Sequence, residues 1–186
     1  MQRFFNNITD IHQFTCSLRW NQTQLQCPHC HQHDQWVSHG FIYKQLSFDL
    51  REPVGKRILC SNRFGNNGCG RTHRFYCAHR TPYLHYSLSV CISFLIALVF
   101  DQLHCVCSAY RHATGASDTR QAWRWLNKLK ARLGAFRTFL LPLPESPPDS
   151  SAHCASPLMS TLHDLLTRFD RATGTHFQSC TQTPFM

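Results

Sequence analysis

The chain has 186 residues, 42% of them hydrophobic and 12% aromatic, which is enough apolar surface for a core and too much for wholesale disorder. Nineteen Lys and Arg against ten Asp and Glu give a formal charge of +9, which favours a polyanionic partner, most often nucleic acid. Ten scattered acids argue against a carboxylate-rich enzyme, and no G-x-x-x-x-G-K run is present to cradle a nucleotide phosphate.

Eleven cysteines are present, an odd number. The start MQRFFNNITDIHQF has no basic stretch followed by an apolar run, so no secretory signal is visible. The expectation is a cytoplasmic, nucleoid-associated protein with reduced cysteines that serve as metal ligands, buried small residues or reactive thiols.

In chain order, residues 1–26 read as a helical entry segment. Ile8, Ile11, Phe14 and Leu18 recur at helical spacing, with Thr9 or Asp10 able to cap. Residues 27–80 change character. Short β-prone pieces at 35–38, 41–48, 57–59 and 72–76 are separated by Gly, Asn and Pro. Residues 83–140 turn helical, in pieces at 86–100, 103–112 and 117–139. The 15-residue apolar run at 86–100 falls short of the roughly 20 residues a spanning helix needs, and is expected to be a buried helix. Residues 141–186 read as a Pro/Ser-rich linker, one amphipathic piece at 158–169 and a polar tail.

Cys27-Pro-His-Cys30 is the strongest local signal, because a C-x-x-C turn brings two thiolates to one zinc ion. Cys60 and Cys69 are the candidates to complete the tetrahedron, although eight residues, SNRFGNNG, separate them where two to four are usual. His29 and His73 lie near enough in sequence to replace one thiolate. No three-ligand open site with a glutamate base is visible, so one closed structural Zn2+ is expected and no catalytic residue is assigned. Cys91, Cys105 and Cys107 read as packing residues.

The second signal is a short helix, a turn at 113–116 with Gly115 free to take positive φ, and a longer basic helix for which Ser117 is a good N-cap. At about 100° per residue, Arg120, Arg124, Lys128 and Arg132 fall on one stripe, and Ala122, Leu126, Leu129, Leu133 and Phe136 on another, flanked by Trp123 and Trp125. This is the outline of a helix-turn-helix. Arg120 and Arg124 would reach base edges, and Lys128 and Arg132 phosphates. Arg71 and Arg74, on the cysteine-rich segment, are further candidate DNA-binding residues. The fold expected is α+β: a small four-cysteine zinc ribbon of short antiparallel strands, followed by a helix-turn-helix-like domain. Basic residues interleaved with Trp123, Trp125, Phe64 and Phe75 are also compatible with stacking on unpaired bases.

Phe14-x-Cys16-x-Leu18-Arg19-Trp20 followed by Cys27-Pro-x-Cys30 resembles the N-terminal zinc-ribbon segment of bacterial insertion-sequence transposases. His39-Gly40 and Cys60 … Cys69-Gly70-Arg71-Thr72 also look like that family's pattern. The resemblance covers roughly residues 14–135, most specifically in the ribbon. It implies binding of double-stranded DNA at the ends of a mobile element, assisting recombination or repressing transcription, with a transposase or recombinase as further partner. Three departures stand out: the stretched second knuckle, His73 where the family has Phe, and no catalytic domain with three separated carboxylates. The function expected is therefore a non-catalytic DNA-binding accessory or regulatory protein, with no membrane association. A homodimer reading two half-sites is compatible with this. The competing readings are a protein-interaction adaptor of a recombinase complex and a small metal-dependent nuclease or recombinase.

Overall fold

The structure is a computed structural model, and it describes residues 1–19, 25–45, 51–82, 86–101, 105–143 and 156–186. It is an α+β fold that divides into two units, Met1–Arg80 and Thr81–Met186.

The first unit is built on a four-stranded sheet. Its elements are β1 (Gln2–Phe5), α1 (Ile8–Arg19), β2 (Trp36–Gln45), β3 (Arg51–Cys60) and β4 (Thr72–Cys77), with sheet order β1-β4-β3-β2. β2, β3 and β4 pair antiparallel, and β1 runs parallel to β4 with Gln2 opposite Arg74. The two β-prone pieces at 35–38 and 41–48 merge into one strand. A register shift between Ser38 and Phe41, with Gly40 at φ 88°, absorbs the interruption. β1 lies within what the sequence reads as a helical segment, since four residues are too few to show a period. α1 covers one sheet face. Ile11 and Leu18 are buried on it, and the rings of Phe5, Phe14 and Phe75 meet at 5.3–5.6 Å. Its cap is Asn7, whose Oδ1 accepts the Asp10 N–H, rather than Thr9 or Asp10.

The second unit is helical: α2 (Leu88–Val99), α3 (Val106–Thr114), α4 (Arg120–Ala131), α5 (Leu133–Leu140), α6 (Pro157–Phe169) and α7 (Thr173–Thr181), with a 3-10 turn at Asp170–Ala172. α2 starts at Ser87, whose side chain accepts the Val90 N–H, and at 12 residues it is a buried core helix. Among the described residues no helix is long and apolar enough to cross a membrane. Trp125 lies at the centre of the core, with the rings of Tyr86, Phe94 and Tyr110 at 5.3–5.5 Å, all steeply inclined to it. The apolar stripe read at 117–139 is buried, but the single helix is two. Arg132 leaves helical geometry (φ −102°, ψ 4°), its N–H shared between Leu129 and Lys130 carbonyls, and the chain restarts at Leu133 just before Gly134. Residues 170–186 form part of this core instead of a tail. Phe136, Phe177 and Phe185 stack at 4.9–5.8 Å, and buried Gln178 accepts the Phe185 N–H through Oε1. Phe177 and Phe185 are fully buried with Met186 beside them in the core, and each aromatic ring buries a large surface. Residues 144–155, the Pro/Ser-rich stretch, lie outside the described residues.

Candidate metal centre and basic helix

Cys27, Cys30, Cys60 and Cys69 converge in the first unit, their sulfurs all within 4.8 Å of one another. Cys27 and Cys69 Sγ are 3.7 Å apart, and Cys30 and Cys60 Sγ 3.6 Å. Those separations are far longer than a disulfide. They match a tetrahedral ion with metal–sulfur bonds of about 2.3 Å, for which sulfurs lie about 3.8 Å apart. The four thiols are thus close enough to hold one metal ion, and the donor set suits a thiophilic, tetrahedral one.

Each pair is shaped by its backbone. At the first, the His31 N–H donates to the Cys27 carbonyl at 2.9 Å and the Cys27 N–H to the Gln32 carbonyl at 3.0 Å, closing a turn around Pro28. At the second, the long spacing is pinched shut. The Gly68 N–H donates to the Ser61 carbonyl at 2.7 Å and the Gly70 N–H to the Cys60 carbonyl at 2.8 Å, so residues 61–68 leave and return at one point. The Cys69 N–H points at Cys60 Sγ, 3.4 Å away. Gly68 is required here. A Cβ would sit 2.7 Å from Cys60 Sγ and closer still to the Ser61 carbonyl oxygen.

Burial pushes the Cys27 thiol up, but the backbone N–H groups of Cys30 and His29 outweigh it and bring it down to about 7. Burial pushes Cys60 up to about 12, opposed only by the Cys69 N–H. A bound divalent ion would deprotonate both. His73 is not one of the four ligands. It is buried, edge-on to Trp36, with Nε2 3.7 Å from Cys27 Sγ, where it can orient that sulfur. His29 is exposed, and its Nδ1 accepts a hydrogen bond from Arg71 Nη1 at 2.9 Å. Arg71 is exposed beside the centre. Arg74 is exposed in mid-strand on β4, opposite exposed Arg57 of β3.

In the second unit, α3 ends at Gly115, which takes φ 68° as its sequence position suggested, and residues 115–119 lead into α4. The N-cap position of α4 is Thr119, not Ser117. Asp118 Oδ1 instead accepts the Arg120 N–H at 3.0 Å. Arg120, Arg124 and Lys128 are exposed along α4, and Ala122, Trp125, Leu126 and Leu129 are buried opposite. Arg132 departs from this stripe because the helix has ended. It is half-buried, burial lowers its guanidinium below its ordinary range, and with Lys128 it lines a groove of about 570 Å3 that reaches Met186. Arg120 is held by Asp118, with Nη2–Oδ2 at 2.8 Å.

Sequence reasoning paired Trp123 with Trp125. The structure separates them: Trp125 is fully buried and Trp123 is 52% exposed, next to exposed Asn127 on the basic face. Extending the 100° count to those two residues gives the signal. Phe75 is buried, whereas Phe64 is wholly exposed. Of the cysteines read as packing residues, Cys91 is buried and Cys107 half-buried, but Cys105 is exposed at the N-cap of α3. No family model matches the chain, and no curated protein or solved structure shows significant similarity to it.

Proposed function

We propose that the chain is a non-catalytic, zinc-dependent DNA-binding protein that acts as an accessory or regulatory component of a bacterial mobile element. In this reading the four-cysteine centre is a zinc ribbon, and α3, the turn at 115–119 and α4 form a helix-turn-helix. The observation that carries it is the division of α4. Arg120, Arg124 and Lys128 face solvent, and the opposite face supplies Trp125, Leu126 and Leu129 to the core. The helix is thereby fixed by packing while Arg124 and Lys128 stay available to a duplex and Arg120 is held by Asp118.

Zinc is the favoured ion because four thiolates at tetrahedral spacing are a structural zinc donor set. An ion with four sulfur ligands has no open position for water, which supports a structural over a nuclease role. Arg57, Arg71 and Arg74 give the sheet unit its own positive surface. The partner is double-stranded DNA, bound alongside a transposase or recombinase.

The test is selection from a random duplex library with zinc-loaded protein, repeated with Cys27→Ser and with Arg120→Ala/Arg124→Ala. The expected result is one motif, lost in both variants. Recovery of no motif, with no salt-sensitive binding of any duplex, overturns the reading.

A further inference from the structure

Between the two ligands of the second knuckle the chain runs Ser61-Asn62-Arg63-Phe64-Gly65-Asn66-Asn67-Gly68. The metal centre needs none of these residues except at the neck, yet the loop is tightly built. The Asn66 N–H and side-chain Nδ2 both donate to the Arg63 carbonyl, at 3.2 and 3.0 Å. The Arg63 N–H donates to Ser61 Oγ at 3.2 Å, and the Asn67 N–H to Gln35 Oε1 at 2.8 Å. Phe64 and Gly65 are the two central residues of the Arg63–Asn66 turn, at φ 56° and 83°. Turns of this kind favour Asn or Gly at the first central position. A bulky residue there is disfavoured by its own Cβ.

A single exposed aromatic on a protein surface needs no explanation. Phe64 differs because it is 100% exposed, stands at the tip of a braced turn and occupies backbone that a phenylalanine resists. Nothing in the folded unit is gained from it, and an unfavourable local conformation retained in that way points to an external contact. The surroundings identify its chemistry. Arg63 and Arg71 are exposed at the tip and the neck, with Asn62 and Asn67 exposed beside them, and no acidic residue occurs from 53 to 100, although exposed Asp34 precedes the bracing Gln35. A flat apolar ring flanked by guanidinium and amide groups in an acid-free stretch matches a nucleobase with its phosphates.

We infer that Phe64 is a stacking platform for an unpaired base of DNA, with Arg63 on the adjacent phosphate. This rests on the reading that the chain binds DNA, and adds that it recognises a single-stranded or frayed end next to a duplex.

The test uses the full, zinc-loaded chain and two DNAs of the same duplex sequence. One is blunt; the other carries a single-stranded overhang with 2-aminopurine at the first unpaired position. Phe64→Ala should weaken overhang binding by roughly tenfold or more. It should leave the blunt duplex unchanged and abolish the quenching of 2-aminopurine produced by the unaltered chain. Phe64→Trp should restore both. The ring makes no packing contact, so bound zinc should be equal in all three. A Phe64→Ala chain that binds both DNAs normally overturns the stacking role and leaves DNA binding standing. An equal loss on both DNAs also overturns it, because the ring then serves the duplex. If the unaltered chain binds neither DNA at low salt, the DNA-binding reading fails and this inference with it.

Discussion

Gly68 donates its N–H to the carbonyl of Ser61 at 2.7 Å, and that bond brings Cys69 back to Cys60 after eight intervening residues. Metal-site geometry is set by where the chain re-enters, not by how many residues it spends away. Sequence spacing is therefore a poor guide wherever a loop is pinched at its base.

Gly68→Ala forces its Cβ against Cys60 Sγ and the Ser61 carbonyl. Metal affinity should fall by roughly 10- to 100-fold, as for other changes that disturb the support of a ligand. Gly134→Ala, where a Cβ meets nothing within 4 Å, should leave affinity unchanged. Competition with a chromogenic chelator measures both.

Arg124→Ala and Lys128→Ala remove exposed cations from α4. If each side chain neutralises one phosphate, each variant should reduce the slope of log K against log salt by about 0.9. Arg132→Ala should change it less, because that guanidinium is half-buried beyond the end of the helix. A salt titration of duplex binding by fluorescence anisotropy distinguishes them.

The Asp118 carboxyl is held down to about 2 by the side chain of Arg120 and then by its backbone N–H. A depressed carboxylate stabilises above its ordinary range and loses that contribution as pH falls toward 2. Between pH 5 and 8 the pair should therefore stay closed. Asp118→Asn opens it, and non-specific duplex affinity should rise by up to about fivefold at low salt, the scale of an exposed ion pair.

Cys77 and Cys105 should differ in reactivity. Burial pushes the Cys77 thiol up to about 11, so at pH 8 about one part in a thousand is thiolate. Exposed Cys105 is lowered by the N–H groups of Ser108 and Cys107 at the start of α3. Alkylation followed by peptide mass mapping at pH 8 should label Cys105 first, and Cys77 only on unfolding.

Phe177 is fully buried among Phe136, Phe139 and Phe185. Phe177→Ala should destabilise the helical unit by about 3–5 kcal/mol, the cost of emptying a large aromatic site. Were residues 170–186 a solvated tail, denaturant unfolding would not register the change.

The sequence was most legible where one local rule decides the outcome. Helical spacing located α1 and an apolar run located α2, while β-prone residues marked β4 and only 57–59 of β3, whose strand runs Arg51–Cys60. The cluster of four cysteines close enough to hold a metal ion was legible because cysteines flanked by Pro and Gly suggest metal-binding turns. What escaped depends on distant partners. β1 is placed by pairing with β4, and α7 by contacts with α2, α5 and α6. The break at Arg132 was missed because the apolar stripe continues through Leu133 and Phe136 after the helix has stopped. Cys105 was misread because it stands exposed at the N-cap of α3, outside the helix whose face is buried.

The parallel pairing of Gln2 with Arg74 has a consequence for biosynthesis. The first strand emerges from the ribosome well before its neighbour in the sheet, and the first two cysteines of the cluster precede the last by a shorter delay. The cysteine cluster cannot assemble until residue 69 is clear of the exit tunnel, nor the sheet edge close until residue 77 is. The nascent sheet unit must therefore wait, thiols uncommitted, and gather its cysteines before it closes its edge.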